Sequence, residues 1–182
     1  MRLCVACLAP LATAVACSSD SAPVADDEIA GVTIVTVLAA DAPRVALAEQ
    51  FIEAWNRGDR SAVLAVMIDD PILSDCDYAT ATVVDLRGRD QVSAWIDARI
   101  AEHDRFTPEQ IFNGNADASS AAIGVAFARR ANDSLRAMGF ADGIRPQSAA
   151  KIRFTGSGND LRIETFANGP VGGDASTLCK PV

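Results

Sequence analysis

Lysine is nearly missing from this chain of 182 residues: there are two Lys against fourteen Arg. The 16 cations face 24 acidic residues, a formal net charge of −8. No Lys/Arg cluster stands out, and a phosphate backbone is held only by several cations that displace its counterions, so nucleic acid is excluded as a partner. Histidine occurs once, at His103, and tyrosine once, at Tyr78. Aromatic residues are only 5%. No apolar run reaches the roughly 18–20 residues of a membrane-spanning helix. The phosphate loop G-x-x-x-x-G-K-[ST], the dinucleotide G-x-G-x-x-G, the G-x-S-x-G elbow and the EF-hand calcium loop are all missing. No metal and no cofactor is expected. What the chain does have is apolar bulk: 49% hydrophobic residues, enough for the core of one domain.

The chain opens MRLCVACLAPLATAVA, where one charge, Arg2, precedes an apolar stretch. That stretch is too short to span a bilayer and fits a secretory signal peptide over residues 1–16. Ala14-Val15-Ala16 is an A-x-A site for ordinary cleavage, which would give a secreted protein. The run Thr13-Ala14-Val15-Ala16-Cys17, however, resembles a bacterial lipoprotein lipobox, with Ala14 where Leu is usual. The resemblance implies that Cys17 is lipidated and becomes the first residue of the mature chain. The polar stretch from Ser18 to about Asp27 then suits a tether between anchor and domain. The expected location is the extracytoplasmic face of the cell membrane, with a lipid bilayer as first partner. Losing Arg2 leaves 15 cations and 24 acidic groups, a mature charge of −9.

The cysteines sort by this reading. Cys4 and Cys7 leave with the leader, and Cys17 carries lipid. Cys76 and Cys179 remain, an even pair in an oxidising compartment, and parity predicts a disulfide between them. Two unconnected buried thiols are the alternative. One His and two bridged Cys cannot supply the clustered ligands of a zinc site.

Within the domain, Ile29–Ala40 is apolar and β-branched, either an extra edge strand or a short helix. Asp41-Ala42-Pro43 starts a helix whose stripe is Val45, Ala48, Phe51, Ile52 and Trp55, with Gly58 as its stop. Asp59 caps a second helix, Ser61 to Met67, ending before Asp69-Asp70-Pro71. Ile72 to Leu86 reads as β. Gly88-Arg89-Asp90 opens a third helix to about Arg105, with Val92, Trp95, Ile96 and Ile100 in its stripe and His103 next. The period then changes to two: Ile111-Phe112, Ile123/Val125/Phe127, Ile152/Phe154 and Leu161/Ile163 are strand cores. Asn113-Gly114, Gly156 to Asn159 and Asn168-Gly169 are turn signals. Asn132 to Met138 suggests a short helical insert within 130–146. Helices first and hairpin strands after predict an α+β fold with a mostly antiparallel sheet.

This order of parts resembles the nuclear transport factor 2-like, or SnoaL-like, superfamily. The carriers are Ala54-Trp55-Asn56-Arg57-Gly58-Asp59, the acidic step Asp69-Asp70 and the turn Gly88-Arg89-Asp90. The resemblance implies a cystatin-like α+β cone over residues 41–170, three helices packed on a curved sheet around an apolar pocket. Residues 17–40 would be the linker and 171–182 a tail. The superfamily spans steroid isomerases, polyketide cyclases, dehydratases and binding modules without chemistry, so the fold leaves function open.

In isomerase-like members a catalytic Asp follows the acidic step by a few residues, which points to Asp75 as a general base, with Tyr78 three residues on. The helix from Val45 to Asn56 lacks the Tyr those enzymes use to donate to the enolate, and the alternative is a solvated loop carboxylate. His103 could serve as a lone base if it faced the pocket; otherwise it is a helix-end residue. Arg129-Arg130 could hold an acidic ligand, or could be a solvated edge that discourages sheet-to-sheet pairing. Phe51, Trp55, Trp95, Phe127 and Phe154 could line a ligand pocket or pack the core. The expectation is a lipid-anchored domain that binds a small apolar ligand or a protein partner without catalysis, with a homodimer conceivable. The alternative is an isomerase- or cyclase-like enzyme using Asp75.

Overall fold

The computed structural model describes residues 33–35, 41–77, 79–113, 122–130, 132–137, 139, 144–170 and 179. The leader, Cys17, Tyr78 and most of the linker and tail lie outside them. Among the described residues no helix is long and apolar enough to cross a membrane.

Strand β1 (Thr33–Val35) realises the edge-strand reading of the linker, pairing parallel to the later strand β4. Helix α1 (Ala42–Arg57) begins after Asp41 and carries Pro43 in its first turn, where no N–H is needed. Its stripe Val45, Ala48, Phe51, Ile52 and Trp55 is buried as the 3.6-residue period requires. Gly58 stops it in the left-handed conformation, φ 72°. A Cβ there would meet Ile100 Cγ2 at 3.3 Å, so glycine also permits the close approach of the third helix. The Asp59 carboxylate accepts from the Ala62 N–H at 3.0 Å and caps α2 (Arg60–Ala65).

Helix α2 ends two residues before the expected Met67, because Met67 already opens β2 (Met67–Asp77). Asp69-Asp70-Pro71 is therefore not a break before the strand. It is an irregularity inside it, where pairing with the last strand shifts between Met67 and Ile72. Proline cannot donate to a ladder and sits at such bulges. β3 (Thr82–Arg87) folds back on β2. Gly88, φ 80°, then donates its N–H to Pro71 O at 2.9 Å and starts α3 (Arg89–Ala101). That helix ends four residues short of Arg105, in a left-handed turn at His103, φ 57°.

β4 (Arg105–Asn113), β5 (Ala122–Arg130), the short α4 (Asn132–Ala137), β6 (Ile144–Thr155) and β7 (Arg162–Pro170) complete the chain. The sheet order is β1-β4-β5-β6-β7-β2-β3. Pairs β1·β4 and β2·β7 are parallel and the other four antiparallel. Gly156 to Asn159 does turn the chain, but Asn168-Gly169 does not. Asn168 pairs with Ala150 inside β7, and its side chain is turned into the protein.

Helix α1 packs against β4 and β7, and α3 against β2 and β3, and the core between helices and sheet is aromatic. Phe106 lies 4.9 Å from Trp55 and 4.8 Å from Phe127, and Phe51 lies 4.8 Å from Phe166 (ring centroids). All five rings are buried. The Asn56 side chain stitches α1 to β4: its amide nitrogen donates to Phe106 O at 2.7 Å and its oxygen accepts the Phe106 N–H at 2.8 Å.

Cys76 and Cys179 form the disulfide that the parity count predicts, with Cα atoms 5.6 Å apart. Both are buried, and Cys179 N donates to Ala81 O at 3.1 Å, so the bridge and this bond hold Cys179 beside the β2–β3 hairpin.

Candidate functional site: a buried arginine between two aspartates

Strand alternation builds the centre of the site. On β2 the buried Leu73 is followed two residues on by Asp75; on β5 Phe127 is followed by Arg129; on β7 Phe166 is followed by Asn168. In each case the last inward position of an apolar row carries a polar group. Asp104, just before β4, is aimed inward by the turn that ends α3: its N–H donates to Arg99 O at 3.0 Å.

Arg129 is the hub. Its Nη1 and Nη2 donate to the two carboxylate oxygens of Asp75, the second at 2.9 Å. Its Nε donates to both oxygens of Asp104 at 2.9 Å, and Nη2 reaches Asp104 Oδ2 at 2.5 Å. All three side chains are wholly buried. The guanidinium carbon also lies 5.1 Å from the Phe106 ring centroid and 6.0 Å from that of Trp55.

Asp75 receives three more hydrogen bonds. Trp95 Nε1 donates to Oδ2 at 2.9 Å, Asn168 Nδ2 to Oδ1 at 2.7 Å, and the Cys76 N–H to Oδ1 at 2.8 Å. Burial by itself would raise its pKa, but the Arg129 charge and these hydrogen bonds prevail and hold the carboxyl below its ordinary value. Asp104 goes the other way. Burial, helped by the charge of Asp75, outweighs Arg129 and Arg99 and lifts its carboxyl above the ordinary value. One guanidinium thus serves two carboxylates unequally, and Asp104 is the one that takes up a proton first.

A second ionic layer adjoins the first. Arg99, 4% exposed, lies 4.5 Å over the Trp95 ring and donates to Glu102 at 2.8 Å. Trp95 therefore joins the layers, its N–H on Asp75 and its face under Arg99.

The candidates from sequence separate accordingly. Asp75 is not a solvated loop carboxylate: it sits on an inner strand, fully buried, beside a cation. Arg129 is not a solvated edge residue, although its neighbour Arg130 is exposed. His103 is exposed at the end of α3. Tyr78 lies outside the described residues. Phe51, Trp55, Phe127 and Phe154 are at most 5% exposed and pack the core, while Trp95 is half-buried and bonded to Asp75. A surface pocket between Pro43, Arg44, Gly156 to Gly158 and Leu161 is lined by none of these residues. Among the described residues no group of three or more His, Cys, Asp or Glu could hold a metal ion.

Asp104 and Asn168 were not anticipated. The signal for Asn168 and Arg129 was present, since extending each inward period by one step lands on them. Asp104 has no such signal, because a helix-ending turn aims it.

The turns that carry the family resemblance do structural work. Asn56 ties α1 to β4, Gly58 and Asp59 join α1 to α2, and Gly88 bonds back to Pro71. Arg89 donates to Leu64 O at 3.3 Å.

No protein-family model matches the chain, and no curated protein does. Solved structures do. A protein of unknown function with a cystatin-like fold from Methylobium petroleophilum PM1 superposes with TM-score 0.55 at 11% identity, over 76% of this chain and 82% of that one. The epoxide hydrolase/cyclase-like enzyme SalBIII, which has a role in pyran ring formation in the polyether salinomycin, gives 0.54 at 12%, over 70% and 90%. A protein described as a calcium/calmodulin dependent protein kinase II association domain from Xanthomonas campestris gives 0.53 at 14%, over 74% and 92%. At these identities the likeness establishes the fold alone, and the fold is a cystatin-like α+β one.

Proposed function

We propose that this is a lipid-anchored domain on the extracytoplasmic face of the cell membrane, binding a small ligand or a partner without catalysis. One observation carries the non-catalytic reading. The base candidate, Asp75, accepts five hydrogen bonds, two of them from a guanidinium, and its proton affinity is lowered. A general base needs a free lone pair and a pKa near working pH. Asp75 has neither, and its bonding is that of a residue that organises the interior. The leader over residues 1–16, followed by Cys17, and the Cys76–Cys179 bridge both favour an oxidising, extracytoplasmic site.

A second reading rests on Asp104. Two carboxylates on one arginine, their proton affinities pushed in opposite directions, are the raw material of acid–base pairs. An enzyme of this kind would use Asp104 as the proton carrier, with Arg129 and Asp75 holding it. SalBIII, similar in fold, is an epoxide hydrolase/cyclase-like enzyme, which supports keeping this reading.

Two measurements decide. For the anchor, wild type is expected in the membrane fraction and Cys17→Ala unprocessed or released; equal release of both would leave a secreted protein. For chemistry, the purified domain is incubated with ketone and epoxide panels. No turnover is expected. Turnover abolished by Asp104→Asn, in a variant with unchanged circular dichroism, would make the protein an enzyme.

A further inference from the structure

Strand alternation also decides what the sheet presents on its other face. Leu73, Phe127, Ile152 and Phe166 are buried in the core, so the residues that alternate with them point outward. Four exposed cations occupy outward positions: Arg87 on β3, Arg130 on β5, and Lys151 and Arg153 on β6. Register lines two of them up. Arg87 pairs with Ile72, Ile72 with Thr165 and Thr165 with Arg153, so the two arginines end one row across four strands, about 14 Å apart. Lys151 stands in the next outward row, opposite Gly124 and Ala167, and Arg130 lies opposite Arg105. No stretch of the sequence is basic; the patch exists only once β3, β5 and β6 share one sheet.

Among the described residues none of these four cations is in an ion pair. The arginines that are paired lie elsewhere: Arg44 and Arg57 on α1, Arg60 on α2, Arg89 and Arg99 on α3, and the buried Arg129. With the half-buried Arg105 and Arg162 added, six cations stand against Asp85, the bulged Glu109 and Glu164, and Asp160 in the β6–β7 turn. Residues 41–65 and 88–102, which carry α1 to α3, have the opposite balance, seven acids and five arginines. An acidic chain thus turns an excess of positive charge to one side.

We propose that this outward face of the sheet is the one the domain turns to the bilayer, with Arg87, Arg130, Lys151 and Arg153 meeting the anionic headgroups of phospholipids.

The inference rests on the lipid-anchor reading above and adds an orientation to it. From Cys17 to Thr33 the chain extends at most about 55 Å, which keeps the domain beside the membrane. Tethering makes the encounter intramolecular, so a weak attraction suffices. Each cation near an anionic surface contributes on the order of a fivefold gain, while the acidic remainder of the chain is repelled. Cations spread across four strands suit several separate headgroups better than one small anion.

The scarcity of lysine supplies the probe. Lys151 and Lys180 are the two lysines of the chain, and Lys151 stands in the patch. With Cys76 and Cys179 bridged, Cys17 is the thiol through which the full mature chain, residues 17–182, is coupled to a maleimide lipid. The vesicles are phosphatidylcholine alone or an equal mixture with phosphatidylglycerol. Coupling holds the chain at the membrane whether or not cells lipidate Cys17, so the outcome is independent of the Cys17→Ala fractionation. Acetylation of Lys151 is followed by mass spectrometry. At low salt it is expected to be at least about fivefold slower on the anionic vesicles. The difference should vanish near 1 M salt, where the Debye length falls to about 3 Å. Arg87→Gln/Arg153→Gln should remove most of the protection, while Arg57→Gln/Arg60→Gln, which takes the same charge from the helices, should keep it. Equal labelling on both kinds of vesicle would overturn the proposal, as would protection that survives Arg87→Gln/Arg153→Gln. Protection on both lipids that grows with the density of coupled chains would overturn it in favour of a second copy seated on this face.

Discussion

The helix layer and the ionic centre of this protein are built by different rules. In the helix layer the informative residues act on neighbours in sequence. Asp59 caps a helix that begins one residue later, Gly58 ends the one before, and Gly88 starts the third. In the centre Asp75, Arg129 and Asp104 come from β2, β5 and the turn before β4, with sequence separations of 54 and 25 along the two ion pairs. Local motifs thus specify shape, while the chemistry is assembled by long-range register.

The sharpest way to test that contrast is to remove the hub. Arg129→Met is roughly isosteric along the stem but strands two buried carboxylates. Breaking a buried pair by deleting one partner typically costs about 3–5 kcal/mol, and here two pairs break at once. Chemical denaturation of the variant should show a loss at or above that range, or no folded protein. A triple variant, Asp75→Asn/Asp104→Asn/Arg129→Met, should recover part of it, since no carboxylate is then left unpaired. A loss under about 1 kcal/mol in Arg129→Met would mean that the centre is open to water.

The same contrast explains what was legible in the sequence. The helix stripes and their stops depend on a 3.6-residue period and on glycine or capping chemistry, which are written locally. So α1, α2 and α3 were placed to within a few residues, and the errors fell at ends, where Met67 joins a strand and His103 takes a left-handed turn. The disulfide was legible through compartment and parity. The centre was half legible. Asp75 was singled out, but by family spacing and for a free base it does not resemble. Arg129 also admits a solvated edge and Asn168-Gly169 reads as a turn, because a charge or an Asn-Gly pair normally marks a surface. The rule that prevailed was alternation along a strand, which continues inward through polar residues when partners wait across the sheet. Nothing in one sequence announces which distant strand supplies those partners.

The disulfide belongs to neither region, and cutting it asks whether the tail matters to the centre. Cys76 follows Asp75 directly, and the bridge closes a separation of 103 positions. Chain-entropy reasoning gives about 4–5 kcal/mol for such a loop as an upper value, and native bridges more often contribute 2–4. Cys76→Ala/Cys179→Ala should lose stability in that range by denaturant titration, with the two-aspartate cluster retained. If the Trp95 indole signal also moves, the bridge positions Asp75 as well as the tail.

Acid titration separates the two carboxylates. Asp75 has a lowered pKa in the folded state, so its stabilising contribution is present above the ordinary value of 3.8 and is lost as pH falls through the lower, folded value. Asp104 is raised, so the folded chain binds the extra proton and stability falls as pH rises from 3.8 to its folded value. Wild type should therefore be most stable in mild acid, where Asp104 is protonated and Asp75 is not. In Asp104→Asn the decline above 3.8 should flatten, while the loss at lower pH, due to Asp75, should persist. The readout is denaturation midpoint against pH; an unchanged profile would show that Asp104 is not the group taking up the proton.

The smallest effect should come from His103, and its sign is informative. The residue occupies the left-handed position after α3, where its N–H donates to Ile100 O at 2.9 Å and the next N–H, of Asp104, reaches back to Arg99 O. That is the helix-ending arrangement in which glycine is usual, because a Cβ is unfavourable at positive φ. Histidine tolerates the conformation better than most residues but at some cost. His103→Gly relieves that cost and gives back part of it in unfolded-chain entropy, for a net gain of about 0.5–1 kcal/mol. The melting temperature should rise by roughly 1–4 °C. The same turn aims Asp104 into the cluster, so the gain is expected without any change in the acid profile above. A lower melting temperature instead would mean that the exposed imidazole makes a favourable contact worth more than the strain, and would return His103 to the candidate functional residues.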